Sequence, residues 1–177
     1  MFYPTLNIAP ASQSVLSSET VALNSTLPTG ITLAFDSNPA KIVPGTTRAV
    51  SMNIKVAQTV APGDYMITVN GKSGASTNTI TFTVKVVQYL ILMQSNTFVN
   101  GNLTVKAGST VYWINLDAPA GGDPEVHNVV FTSGAVAQSP TMIQFATYSY
   151  MFASAGTYKY YCTYHPSSMQ AAITVTA

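Results

Sequence analysis

Short runs in which apolar and polar residues alternate recur along most of this chain. In Thr79–Val86 every second residue is apolar, and Val50–Val56 and Tyr65–Val69 repeat the same period. A period of two places alternate side chains on opposite faces of a strand. Because no long segment shows a convincing helical stripe, the sequence predicts an all-β fold.

Turn signals divide the chain into two cycles of strands. Pro44-Gly45, Asn70-Gly71 and Ser73-Gly74 separate apolar runs in the first half, and a second cycle begins at Gln88. A chain of 177 residues is long enough for two small domains. We therefore expect two β-sandwich domains in tandem, at residues 1–87 and 88–177.

The charge composition excludes two classes of partner. Only 7% of the residues are charged, and the formal net charge is +1. A protein that binds nucleic acid or an anionic membrane usually has a clear excess of basic residues. This chain has no such excess, so we expect no nucleic-acid partner. The longest apolar run near the middle, Leu90–Met93, is too short to span a bilayer. A membrane anchor, if the native protein has one, is expected outside these residues.

The single cysteine and the two histidines restrict the chemistry further. One thiol excludes an internal disulfide and a four-cysteine metal site, and two imidazoles are too few for a three-histidine zinc site. All three residues lie in the second half, as His127, Cys162 and His165, and Met169 follows His165 by four residues. One thiolate, two imidazoles and a thioether are the ligand set that copper uses for one-electron transfer.

The residues before the cysteine fit a copper site. Alternation in the segment TYKYYC puts Tyr158, Tyr160 and Cys162 on one face of a strand. Cys162 is therefore expected to end this strand facing inward, and the following loop supplies His165 and Met169.

An enzymatic interpretation of the same residues is weaker. Cys162 and His127 resemble a nucleophile and its general base, but no third orienting residue and no oxyanion element accompanies them. We expect that the protein is not an enzyme. The acidic residues Asp117, Asp123 and Glu125 lie in a loop rich in proline and glycine and are interpreted as solvated turn residues.

Three longer segments of the second half resemble the plastocyanin and pseudoazurin group of cupredoxins. They are Leu103–Asp117, Asp123–Gly134 and Gly156–Val175. The resemblance implies a Greek-key sandwich that binds one mononuclear type 1 copper per chain, with Asn128 pinning the ligand loops together by hydrogen bonds. The implied copper ligands are His127, Cys162, His165 and Met169.

Two features depart from the family pattern, one a spacing and the other a single residue. Pro166-Ser167-Ser168 separates His165 from Met169, a spacing that related proteins do not commonly have. Tyr164 stands where many relatives have proline, and it keeps its backbone N–H. We hypothesise that the N–H groups of Tyr164 and Asn128 donate to the sulfur of Cys162, which disfavours Cu(II) and raises the reduction potential.

The resemblance of the second half implies a blue-copper electron carrier that cycles between Cu(I) and Cu(II). Electrons are expected to pass through the edge of His165 to a redox partner protein that docks near His165 and Pro166.

The first half resembles the immunoglobulin-like modules of prokaryotic cell-surface proteins, over Pro28–Val56 and Ala61–Val86. This resemblance implies an exported protein, whether extracellular, periplasmic or on the cell surface. A second function stays open: a surface copper-binding, copper-carrier or structural protein with an adhesive first domain and no role in electron transfer.

Overall fold

The computed structural model describes residues 5–8, 18–119 and 125–177. Within these ranges the secondary structure consists of fifteen strands and no helix, so the predicted all-β fold class is confirmed. The described residues accordingly contain no helix with the length and hydropathy that a membrane crossing requires. The chain divides into two compact units, Met1–Val86 and Val87–Ala177, and each is described by itself.

The first unit contains two antiparallel sheets. One has the strand order β1-β5-β3 and the other β4-β2-β6-β7. The strands are β1 (Thr5–Ile8), β2 (Glu19–Thr26), β3 (Ile31–Phe35), β4 (Ala40–Ile42), β5 (Arg48–Val56), β6 (Gly63–Ser73) and β7 (Ser76–Val86).

Two clusters of mostly aliphatic residues fill the space between these sheets. Val50 of β5 packs with buried residues of β2 and β4, while Met52 and Ile54 pack with buried residues of β3 and β6. Because β5 belongs to one sheet and β2, β4 and β6 to the other, both clusters join the two sheets into a sandwich. The alternation that predicted strand β5 thus selects its buried face.

One predicted turn in this unit is wrong. Asn70-Gly71 lies within β6, and the chain reverses only after Ser73, which pairs with Ser76. A Cβ on Gly71 would lie 3.2 Å from Cγ1 of Val21. The glycine therefore allows a close approach between two strands of the sheet, a role that local composition does not distinguish from a turn.

The second unit also contains two sheets, with the orders β10-β15-β14-β12 and β13-β11-β8-β9. Strand β11 pairs in parallel with β8, and β10 pairs in parallel with β15. The strands are β8 (Tyr89–Gln94), β9 (Thr97–Val99), β10 (Leu103–Lys106), β11 (Ser109–Asn115), β12 (Val130–Phe131), β13 (Thr147–Phe152), β14 (Gly156–Tyr161) and β15 (Gln170–Thr176).

A single core of buried residues from both sheets holds the second unit together. Its centre is Trp113, whose ring lies 5.6 Å from the rings of Tyr148 and Tyr160 and 6.1 Å from that of Phe131, measured between centroids. The hydroxyl of Tyr160 donates to the carbonyl of Gly101 at 2.7 Å inside this core. Large rings fill the sandwich, and the one buried hydroxyl among them has an acceptor, as buried polar groups require.

Candidate metal centre

The backbone of His127 is held inside the second unit by a pair of hydrogen bonds. Its N–H donates to the carbonyl of Met142 at 3.1 Å, and the N–H of Met142 donates back to the carbonyl of His127 at 2.8 Å. The His127 side chain is fully buried. The imidazole is thus fixed in the interior of the sandwich rather than on its surface.

Cys162 and Met169 are brought together by the loop that follows β14. Cys162 comes directly after the strand and is fully buried, and its N–H donates to the carbonyl of Met169 at 3.0 Å. The N–H of Met169 donates to the carbonyl of His165 at 2.9 Å. The three residues between His165 and Met169 therefore form one turn, which returns the fully buried Met169 to the side of Cys162.

Three side chains with metal-binding atoms converge at this point. His127, Cys162 and His165 each offer one ligand atom, and these atoms lie within 4.8 Å of one another. The Nδ1 atom of His127 lies 3.8 Å from Sγ of Cys162. Met169 belongs to the same buried core as Cys162, and its carbonyl accepts the N–H of Cys162.

Each imidazole has a carboxylate on its other ring nitrogen. Nε2 of His127 lies 2.9 Å from Oδ2 of Asp117, and Nε2 of His165 lies 3.1 Å from Oε1 of Glu125. An ionised carboxylate can only accept a hydrogen bond, so Nε2 is the donor and carries a proton in both contacts. Metal-binding histidines are commonly oriented in this way by an acceptor behind the ring.

The Nδ1 atom of His165 supports the same conclusion. It is buried and has no hydrogen-bond partner among the described residues. A buried polar atom without a partner is costly, and a metal ion held beside Cys162 would supply the missing contact. The donor set of a thiolate, two imidazole nitrogens and a buried thioether fits copper.

The interpretation of the acidic residues as solvated turn residues is wrong for Asp117 and Glu125. Asp117 is mostly buried, and its carboxylate accepts the N–H of Ser95 at 2.6 Å and that of Asn96 at 3.0 Å. These two residues form the tight turn between β8 and β9 and have φ angles of 53° and 54°. The turn thus aims two backbone donors at the carboxylate that orients His127. The third acidic residue, Asp123, lies outside the described residues.

A buried amide that the sequence did not single out ties this region together. Asn115, at the end of β11, is fully buried. Its Nδ2 donates to the carbonyls of Glu125 and Met142, each at 2.9 Å, and its Oδ1 accepts the N–H of Asp117 at 2.9 Å. Asn115 therefore positions the backbone beside both carboxylates. A polar residue ending a strand with alternating burial is the only sequence signal for it.

The site favours the ionised form of the cysteine. Burial raises the pKa of the Cys162 thiol, but polar contacts with the thiolate outweigh burial and lower the pKa to about 6. Those contacts come from the side chain of His127, the backbone N–H of Asn128, the side chain of His165 and the backbone N–H of Tyr164. A thiol with this pKa is largely thiolate at neutral pH, the form that binds metals.

Electrostatics also couple His127 to its two neighbours. Burial lowers the pKa of His127, but the contacts with Cys162 and Asp117 dominate and raise it. For Asp117, burial raises the pKa, and the backbone donors of Asn96 and Ser95 together with His127 bring it below its usual value. The carboxylate therefore stays ionised behind the ring.

Asn128 links the two segments that carry the ligand residues. Its Oδ1 accepts the N–H of Thr163 at 2.8 Å, and its Nδ2 donates to Oγ1 of Thr163 at 2.8 Å. These bonds join the residue after His127 to the residue after Cys162. On the other side of the loop, the hydroxyl of Tyr164 lies 2.8 Å from Oγ1 of Thr141.

Comparison with known proteins identifies the second unit. Residues 91–176 match the family described as copper binding proteins, plastocyanin/azurin family. This match supports a cupredoxin domain at residues 91–176, and the resemblance seen in the sequence is confirmed for this part of the chain. The family binds one type 1 copper, and His127, Cys162, His165 and Met169 are positioned as a candidate copper site.

The individual relatives are bacterial amicyanins. The chain is 37% identical over 73 residues to amicyanin of Paracoccus versutus, covering 39% of this chain and 51% of the relative. It is 43% identical over 68 residues to amicyanin of Paracoccus denitrificans, covering 36% of this chain and 47% of the relative. The chain thus spans about half the length of the curated relatives it matches. A solved Cu(I) structure of an amicyanin variant is 32% identical, with 50% of this chain and 81% of the other covered and a TM-score of 0.44.

Proposed function

We propose that this chain is an exported electron carrier, not an enzyme, with a mononuclear type 1 copper site in its second domain. The observation that carries the proposal is the buried group of His127, Cys162 and His165, whose ligand atoms lie within 4.8 Å of one another. The proposed ligands are these three residues and Met169. Bound copper supplies a one-electron couple between Cu(I) and Cu(II).

The protein's own residues keep the geometry of the site constant while an electron is exchanged. Asp117 and Glu125 hold the two rings from behind, and Asn128 joins the ligand-bearing segments. If the site cannot relax toward the coordination geometry that each copper oxidation state prefers, its atoms move little when an electron is transferred. The same contacts that lower the pKa of Cys162 keep its sulfur anionic and ready to bind metal.

The proposed route for electrons is the edge of His165, which is the only partly exposed member of the ligand set. A redox partner protein would dock beside it and beside the exposed Pro166. The other exposed residues of this loop are mainly hydroxyl-bearing: Thr163, Tyr164, Ser167 and Ser168. A small contact of mixed polarity suits a partner that must dissociate quickly, as weak redox encounters do.

For the first unit we propose an immunoglobulin-like sandwich that acts as a spacer or docking module, with domain limits at residues 1–87 and 88–177. Its two sheets around aliphatic clusters support a sandwich. No group of potential metal ligands occurs among its described residues. We place the protein outside the cytoplasm, in the periplasm, at the cell surface or in the medium.

The absorption spectrum after addition of Cu(II), followed by voltammetry, tests the function. An intense thiolate-to-copper band and fast, reversible reduction are expected. A pale or easily stripped copper complex would instead favour the rival function, a copper-binding or structural surface protein without electron transfer.

A further inference from the structure

The carboxylate of Glu125 lies beside the partly exposed edge of His165. Its Oε1 atom lies 3.1 Å from Nε2 of His165, and both side chains are about three-quarters buried, with exposed fractions of 25% and 24%. The other ring nitrogen, Nδ1, is buried and has no hydrogen-bond partner among the described residues. The edge through which electrons are proposed to pass therefore carries a hydrogen-bonded carboxylate.

Glu125 is held in this position through its backbone. Its carbonyl accepts a hydrogen bond from Nδ2 of the fully buried Asn115 at 2.9 Å, and the same amide also binds the carbonyl of Met142. Two residues further along, His127 is fixed by its backbone pairing with Met142. The carboxylate thus projects toward His165 from a segment that is anchored on the buried side.

The two imidazoles are not restrained equally. His127 is fully buried, and its carboxylate partner Asp117 is itself held by two backbone N–H groups. His165 lies in a surface loop, and Glu125 is its hydrogen-bond partner at Nε2. On the opposite side of the ring, Nδ1 has no hydrogen-bond partner among the described residues. At Nε2 the orientation of His165 consequently depends on Glu125.

We infer that Glu125 is a positioning residue that selects the Nε2–H tautomer and the ring orientation of His165, and so presents Nδ1 to the copper. Its role toward copper rests on the proposed function, but the selection of the tautomer does not. Without the carboxylate, the ring can rotate or carry its proton on Nδ1, and either change removes the lone pair from the site. Outer acceptors behind metal-binding histidines typically change metal affinity by about 10- to 100-fold when they are removed.

The experiment starts with the metal-free protein, labelled with ¹⁵N at histidine. The chain has only two histidines, so each ring nitrogen can be assigned, and His127 with its own carboxylate serves as an internal reference. In the unmodified chain we expect His165 to be the Nε2–H tautomer. In Glu125→Ala we expect a mixture of tautomers at His165 and an unchanged His127.

Copper binding provides the second measurement. Glu125→Ala is expected to weaken Cu(I) binding by about 10- to 100-fold. Glu125→Gln should retain most of the Cu(I) affinity, because its amide oxygen still accepts a hydrogen bond from Nε2–H. This variant removes the negative charge but keeps the acceptor, so it separates the effect of ring positioning from that of charge. Glu125→Asp keeps the charge but shortens the reach, and it should resemble Glu125→Ala. Glu19→Gln, in the first unit, is the matched control and should change nothing.

The outcomes separate this inference from the proposed function. An unchanged His165 tautomer and unchanged Cu(I) affinity in both Glu125→Ala and Glu125→Asp would overturn the inference. If Glu125→Ala does not fold, Glu125→Asp decides the question. If the tautomer shifts as expected but the unmodified chain forms no blue Cu(II) site, the proposed function fails and the positioning role of Glu125 stands.

Discussion

The two units of this molecule are built from the same kind of secondary structure and differ in what fills their interiors. The first has two clusters of mostly aliphatic side chains between its sheets, whereas the second has one core that contains Trp113, Tyr160, Cys162 and Met169. His127 is fully buried in the second unit as well. The first sandwich is therefore held together by mostly aliphatic packing, whereas the second also buries polar atoms of the candidate ligands, for which a missing hydrogen-bond partner is costly.

The ionic contacts of the two units differ in the same way. In the first unit Asp64 and Lys85 form a salt bridge of 2.7 Å in which the side chains are 57% and 55% exposed. In the second unit Asp117 faces the fully buried ring of His127. Exposed pairs are screened by solvent and stabilise little, whereas a buried contact decides which ring nitrogen carries the proton. The following experiments test this contrast, beginning with the largest expected effect.

Cys162→Ala should abolish the coloured copper site completely, because no other thiol is present to form the thiolate-to-copper band. The absorption spectrum after addition of Cu(II) is the measurement. The control is Asp64→Asn, which alters an exposed contact of the first unit and should leave the spectrum intact. A persistent blue band in Cys162→Ala would contradict the assigned thiolate.

Tyr160→Phe should destabilise the second unit by about 1–3 kcal/mol, because it leaves the buried carbonyl of Gly101 without its donor. Denaturant unfolding followed by fluorescence measures this, since Trp113 is the only tryptophan and lies in the second unit. Tyr161→Phe, one residue along on a half-buried side chain, is the control and should change stability by less than about 0.5 kcal/mol. Equal effects of the two substitutions would show that the Tyr160 hydrogen bond contributes nothing.

Tyr164→Pro should lower the reduction potential of the copper-loaded protein. Proline removes the backbone N–H that favours the Cys162 thiolate, and the loss of that donor stabilises Cu(II) relative to Cu(I). Tyr164→Phe is the matched control, because it keeps the N–H and loses only the contact with Thr141. Protein-film voltammetry measures both; equal potentials in Tyr164→Pro and Tyr164→Phe would remove the role of the N–H.

Asp64→Asn should have the smallest effect, a loss of less than about 1 kcal/mol in the stability of the first unit. The pair with Lys85 is exposed on both sides, so water replaces it at little cost. Thermal unfolding at low and high salt measures the change, which should shrink further as salt screens the pair. A larger loss of stability that persists at high salt would contradict the contrast between the exposed ion pair of the first unit and the buried contact of the second.

Local patterns predicted the strands well and the turns less well. The two-residue alternation located β5 and β14 and placed Tyr160 on one face with the inward-facing Cys162, and both side chains are buried. It failed at Asn70-Gly71, because a glycine that makes a turn and a glycine that lets two strands approach closely have the same local composition.

The chemistry of the site follows largely from residue types, since the chain contains one thiol and two imidazoles, all of them in its second half. The partners behind the imidazoles could not be predicted in this way. Glu125 and His165 lie on different loops, and their contact requires the fold to bring those loops together, as the hydrogen bonds between Asn128 and Thr163 do.

The sequence by itself determined the all-β fold class, because alternation is a short-range pattern, and the set of candidate copper ligands, because the chain has one thiol and two imidazoles. Only the tertiary structure decided which nitrogen of each imidazole faces a carboxylate, and that Asp117 and Glu125 lie behind the rings rather than in solvent. The physical reason is that a tautomer is selected by the acceptor in contact with the ring. That acceptor comes from a segment distant along the chain, which folding alone places there.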